Sequence, residues 1–171
     1  MNQPITKHEA KITQDLAGKK IVVTREFDAP LEKIWRAFTQ SEILDKWWAP
    51  KPWTLKTESH NFIPGGSWHF SMVSPDGQRY WWRADVPAIE PLRSFTSTGG
   101  PSDENANLTG GLPTMIRLTE FTATPTGTMV TITITFENEA DVRTMAESGM
   151  LAGTTAVFSN LEELLEDALA I

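Results

Sequence analysis

The chain has 171 residues, a formal net charge of -7 and no cysteine. That length suits one domain with a sizeable core and leaves little room for two. An acidic chain without a run of Lys or Arg lacks the electrostatic footprint of a nucleic-acid binder, no apolar stretch approaches the roughly 20 residues of a spanning helix, and the absence of thiols removes disulfides and thiol catalysis. The N-terminus lacks the basic-then-apolar layout of a signal peptide, and a cysteine-free chain is compatible with a reducing compartment. A cytoplasmic protein without membrane insertion is therefore expected.

Residues 1–18 are polar without a sustained period and read as an N-terminal tail, which leaves residues 19–171 as a single domain. "KIVVTREFD" from Lys20 is β-rich and predicts the first strand. In "APLEKIWRAFTQ", Pro30 suits a helix start, and Ile34, Trp35 and Phe38 recur at helical spacing. A second short helix, "EILDKWW", must end at Pro50. Three tryptophans, Trp47, Trp48 and Trp53, crowd this turn, which Pro50 and Pro52 interrupt. Strand signals then follow in quick succession: "WTLKTESHNF", "GSWHFSMVS", "QRYWWRADVPAI" and "LRSFTST", separated by Gly- and Pro-containing turns. The polar segment "GGPSDENANLTGGLP", residues 99–113, exceeds a hairpin loop and reads as a lid or a surface insertion. "TMIRLTEFTAT" and "TMVTITITFE" are the last strands.

The final 30 residues switch period. Met150, Thr154, Val157, Leu161, Leu164, Leu165 and Ala168 fall at steps of three and four, which predicts a long amphipathic helix. Gly149 and Gly153 imply a break near its start or a close backbone contact. Short turns between consecutive strands favour antiparallel pairing, so the predicted class is α+β. The expected sheet is curved and antiparallel with six to seven strands, has two short helices after its first strand, and needs the terminal helix as its cover.

The order of these elements carries a set of local motifs. They are Arg25-Glu26-Phe27-Asp28-Ala29-Pro30 with Ile34-Trp35, then Trp47-Trp48-Ala49-Pro50, and Pro64-Gly65-Gly66-Ser67-Trp68. Asp76-Gly77, Ile89-Glu90-Pro91 and Gly149-Met150 through Gly153 follow, closing on Asn160-Leu161-Glu162-Glu163-Leu164-Leu165. Taken together they resemble the START-like helix-grip (SRPBCC) superfamily over residues 19–169. Within it the chain is most similar to the AHSA-like branch, named for activators of the heat-shock-protein ATPase and also called polyketide-cyclase-like. The resemblance implies a sheet wrapped around the C-terminal helix and a usually apolar cavity between them. It implies little about chemistry, because such proteins bind lipids and other hydrophobic molecules, and some cyclise or hydrolyse them. The chain lacks the separate N-terminal domain of the eukaryotic co-chaperones, which argues against ATPase activation.

Within that frame, Trp68 and Phe70 share one face of a strand, and Tyr80, Trp82 and Ala84 share a face of the next. Cavity candidates are Arg25, Trp48, Trp68, Phe70, Trp82, Met150, Val157, Phe158 and Leu161. Arg25 is predicted to point inward and so needs a carboxylate or a ligand oxygen. Glu58, Asp85 and Glu120 are its candidate partners, and Arg83 and Arg117 face the same requirement. His60 and His69 on neighbouring strands, with Glu58, offer metal-type ligands, but nothing in their spacing enforces a site and no metal is expected. No glycine pair has the spacing of a dinucleotide or phosphate loop, so no cofactor is expected either. Glu162, Glu163, Glu166 and Asp167 read as the wet face of the last helix.

The predicted function is binding of a small hydrophobic or amphipathic ligand between sheet and helix. One alternative is a cavity enzyme of cyclase, dehydratase or hydrolase type using His69, Glu58, Asp85 or Tyr80 as acid and base. Another is a protein-interaction module or co-chaperone-like regulator acting through Trp81 on the convex face, where a homodimer is also expected. One of Trp47 and Trp48 is expected to plug the end of the grip, the other to border the pocket mouth.

Overall fold

The computed structural model describes residues 8–167. Its elements run β1 (Lys11–Asp15), β2 (Lys20–Phe27), α1 (Leu31–Thr39), α2 (Ser41–Trp47), β3 (Thr54–His60) and β4 (Gly66–Val73). They continue with β5 (Arg79–Glu90), β6 (Ser94–Ser102), β7 (Met115–Ala123), β8 (Thr128–Phe136), α3 (Glu139–Glu147) and α4 (Met150–Glu166). The strands form one antiparallel sheet in the order β1-β2-β8-β7-β6-β5-β4-β3. Among the described residues no helix is long and apolar enough to cross a membrane.

The middle of the sheet follows from strict alternation. Ile21, Val23, Arg25 and Phe27 on β2 and Val130, Ile132, Ile134 and Phe136 on β8 are all nearly inaccessible, while the residues alternating with them are more exposed. Register places Ile21 beside Ile134 and Val23 beside Ile132, so one continuous apolar face looks toward the helices. Register shifts between Thr57 and Ser59 on β3 and between Asp85 and Ala88 on β5 bend the outer strands. The sheet thus curls, and α4 crosses its concave face: Phe158 meets Phe27 edge-to-face at 5.6 Å.

Three sequence expectations change. The tail reading fails at residues 11–15, which pair with β2 from Lys11 beside Thr24 to Asp15 beside Lys20 and raise the strand count to eight. Ile12 is the only large apolar residue of "KITQD", so the strand carries no period-two signal. What holds it is main-chain pairing to an otherwise open edge. Residues 1–7 of that expected tail, and Ala168 on the terminal helix, lie outside the described residues. The last helix is two helices: Asn138 caps α3 by accepting the Asp141 N–H at 2.8 Å, and α4 begins after Gly149, whose φ of +85° only glycine adopts cheaply. Most of the segment from residue 99 is ordered structure. It continues β6 to Ser102, then folds into a turn where the Asp103 carboxylate accepts from the Asn105 and Asn107 N–H groups at 2.9 and 2.8 Å.

Candidate functional site

The adjacent tryptophans at the end of α2 point different ways. Trp47 is buried under α1, and its indole N–H donates to the Ala37 carbonyl at 3.0 Å. Its ring lies against Phe38 at 4.8 Å. The Asn160 side chain of α4 donates to the Trp47 and Ala49 carbonyls at 3.3 and 2.9 Å, tying the helix to the proline-bounded turn. Trp48 is half-buried and turns toward Trp68, 6.0 Å away. Trp47 therefore closes the end of the grip, and Trp48 forms wall.

That wall belongs to a partly open cavity of about 450 Å³ between the sheet and α4. The volume falls within the range of about 300–1,000 Å³ typical of small-molecule sites. Of the cavity residues expected from sequence, Trp48, Trp68, Phe70, Trp82, Met150, Val157 and Phe158 line it. Arg25 and Leu161 do not: Leu161 is packed in the core and Arg25 lies farther along the helix, toward Glu162. Sequence reasoning missed Phe38, Phe62 and Phe95, which bring the wall to eight Phe and Trp rings. It also missed what Gly149 and Gly153 do. Both line the cavity, and a Cβ at Gly153 would meet nothing within 4 Å, so the missing side chain is part of the open volume. Leu112, Ser148 and Gly149 are exposed lining residues, which puts an opening between the β6–β7 connection and the α3–α4 joint.

The ionisable residues sort by face. Arg25 is 3% exposed and its Nη2 lies 3.0 Å from the Glu162 Oε2, close enough for an ion pair but misaligned for a hydrogen bond. Its guanidinium carbon also lies 4.9 Å from the Phe27 ring centroid. The partner thus comes from α4, through a residue expected on its wet face, and none of Glu58, Asp85 and Glu120 supplies it. Glu162→Gln is expected to leave Arg25 without its counter-charge and to cost about 1–2 kcal/mol. Adding Arg25→Met should recover most of that loss, as thermal unfolding of the single and double variants would show.

Arg83 points outward, donating to Asp85 at 3.0 Å and to the Ala106 carbonyl at 3.2 Å. His69 is buried on that same outer face, 3.1 Å from the Asp103 carbonyl and stacked on Trp81 at 4.9 Å. Arg79 covers Trp81 at 4.3 Å and holds Glu58 at 2.7 Å. Tyr80 is 57% exposed and lies beside Trp53. None of His69, Glu58, Asp85 and Tyr80 lines the cavity, so the expected acid and base groups do not converge on it. His60 does line it, on the face opposite His69, which separates the two histidines. Burial is the main cause lowering the His60 pKa below its ordinary value, partly offset by Glu42 and Asp45, so the ring is neutral at pH 7.

The other ionisable group of the wall is Arg117, on β7. Its inward neighbours across the sheet are Ser97 on β6 and Ile134 on β8. Among the described residues no carboxylate pairs with it, and its guanidinium carbon lies over the Trp48 ring, 5.9 Å from the centroid. Loss of hydration pushes its pKa down to about 10, which leaves it charged at neutral pH.

A curved antiparallel sheet gripping a long terminal helix, with a largely apolar cavity between them, defines the helix-grip class. The chain belongs to the Activator of Hsp90 ATPase homolog 1-like family, whose model matches residues 28–166. Among solved structures it is similar to protein Ms6760 from Mycobacterium smegmatis, with 26% identity, a TM-score of 0.82, and 91% of this chain and 95% of that one covered. A protein from Arthrobacter aurescens, solved in solution, is similar at 26% identity and a TM-score of 0.84, with 94% of each chain covered. Protein NE0264 from Nitrosomonas europaea shares the fold at 24% identity and a TM-score of 0.75, over 91% of this chain and 99% of that one. No curated protein matches.

Proposed function

We propose that this protein binds a small hydrophobic or amphipathic molecule in the cavity between the sheet and α4. The observation that carries this is the cavity itself, about 450 Å³ walled mainly by aromatic and aliphatic side chains. Burying apolar ligand surface there is worth about 25 cal/mol per Å² and supplies the driving force. The family match and the fold are consistent with such a role. Within the same reading we place the protein in the cytoplasm, a compartment compatible with a chain without cysteine.

Native mass spectrometry of the purified protein tests the proposal. A bound small molecule, or uptake of added hydrophobic probes in a one-to-one ratio, is the expected result. Failure of every probe across a hydrophobic library would sink it. The same spectra read the oligomeric state. The homodimer expected through Trp81 has less apolar surface to use than the sequence suggests, because Arg79 and His69 cover that ring.

A further inference from the structure

We infer that the ligand is a monoanion, a flat aromatic body carrying one carboxylate, and that Arg117 receives the carboxylate inside the cavity. This rests on the binding reading above and adds the chemical class of the ligand.

A guanidinium facing an apolar cavity without a counter-charge is costly, and proteins ordinarily pair such groups. Arg25 shows the ordinary solution here, with a carboxylate 3.0 Å away. Arg117 has none among the described residues, although it sits in the middle of β7 with neighbours on both sides. The cavity wall contains no Asp or Glu that a modest rotamer change could bring to it. Arg117 is partly buried on the wall of an open cavity, so the counter-charge it lacks within the protein can be supplied by what enters there.

The surroundings narrow the class further. Ser97, opposite Arg117 on β6, and Thr119, two residues along β7, both line the cavity, and neither hydroxyl has a side-chain partner among the described residues. A planar fork with two hydroxyls on the same stretch of wall matches a carboxylate, which accepts in-plane hydrogen bonds at both oxygens. One cation balances one negative charge. His60, the other ionisable wall residue, is disfavoured as a cation by its burial, so a dianionic phosphate would be left under-compensated. Eight Phe and Trp rings stand among the aliphatic residues of the wall, and their edges and faces suit a flat aromatic body.

The test compares 2-naphthylacetate with its neutral primary amide, and with 2-naphthyl phosphate, by isothermal titration calorimetry at pH 7. The acid should bind at least about tenfold tighter than the amide, as charge-assisted pairing in a partly desolvated site implies. In Arg117→Met the acid should lose that advantage while the amide stays within roughly threefold of wild type. Arg117→Lys, which keeps the charge and loses the fork, should retain part of the preference. Without ligand, Arg117→Met should melt higher than wild type, because it removes an uncompensated charge. A lower melting temperature would make Arg117 a structural ion and overturn the proposal. So would equal binding of acid and amide, or a preference that survives in Arg117→Met, and in either case the cavity would still stand as a binding site. Tighter binding of the phosphate would overturn the carboxylate assignment. If neither acid nor amide binds, the proposal falls, while the binding reading stands or falls with the hydrophobic library.

Discussion

Replacing Trp47 with alanine is expected to cost about 3–5 kcal/mol, the usual penalty for deleting a large aromatic side chain from a packed core. Trp47 is 1% exposed, its ring packs against Phe38 and Trp48 at 4.8 and 5.1 Å, and its N–H holds the Ala37 carbonyl. Truncation would open a void and strand that carbonyl in the same step. At roughly 2–4 °C per kcal/mol for a chain of this size, the melting temperature should fall by about 6–20 °C. Trp48→Ala should behave differently. Its ring borders the cavity and is only half-buried, so stability should fall by less, while affinity for a cavity probe falls with the lost wall. Equal melting temperatures for the two variants would contradict the division of labour between these neighbours.

Gly153→Leu is expected to weaken probe binding by at least about tenfold, or 1.4 kcal/mol, while leaving the fold intact or firmer. Glycine inside a helix costs about 1 kcal/mol relative to better helix formers, so the substitution favours α4 locally. A Cβ there meets nothing within 4 Å, and the leucine side chain has the cavity to enter. The variant thus separates filling the site from damaging the protein. Binding calorimetry with 2-naphthylacetate, run beside thermal unfolding, reads both effects. Undiminished affinity would place the probe elsewhere. A large loss of stability would mean that α4 tolerates no side chain at this position.

The alternation of "IVVTREF" and "MVTITITF" and the three-and-four spacing of Val157, Leu161 and Leu164 are strong local signals, and they suffice for the sheet centre and for α4. Edge strand β1 is invisible to such a reading, since it is held by main-chain pairing and presents one apolar residue, Ile12. The helix break was legible only as an ambiguity: Gly149 ends one helix at a positive φ, whereas Gly153 sits inside the next and opens space.

The site divides along the same physical line. Period two correctly sets Trp68, Phe70 and Trp82 on the face that lines the cavity. It sets Arg25 and Arg117 on that face as well, because alternation reports direction and not distance along the sheet. Only the crossing of α4 distinguishes them, by bringing Glu162 to Arg25 and leaving Arg117 beside Trp48. The charge of Glu162 suggests solvent, and a residue 28% exposed at the rim satisfies that pattern while still reaching inward. Trp81 alternates outward as expected and His69, offered as a cavity acid or base, shares that face; the turn at Asp103 and the side chain of Arg79 cover them, a long-range effect that no local pattern carries.

The central claim is that a small molecule occupies the space between sheet and α4, and the seven tryptophans supply built-in reporters of where it goes. Trp48, Trp68 and Trp82 line the cavity, whereas Trp35, Trp47, Trp53 and Trp81 do not. The most direct measurement is a titration of 15N-labelled protein with 2-naphthylacetate, following the seven indole N–H resonances by two-dimensional NMR. Binding in the cavity predicts that the signals of Trp48, Trp68 and Trp82 shift together and saturate at one equivalent, with Trp53 and Trp81 unmoved. Saturating shifts confined to Trp53 and Trp81, or no shifts at millimolar probe, would contradict it.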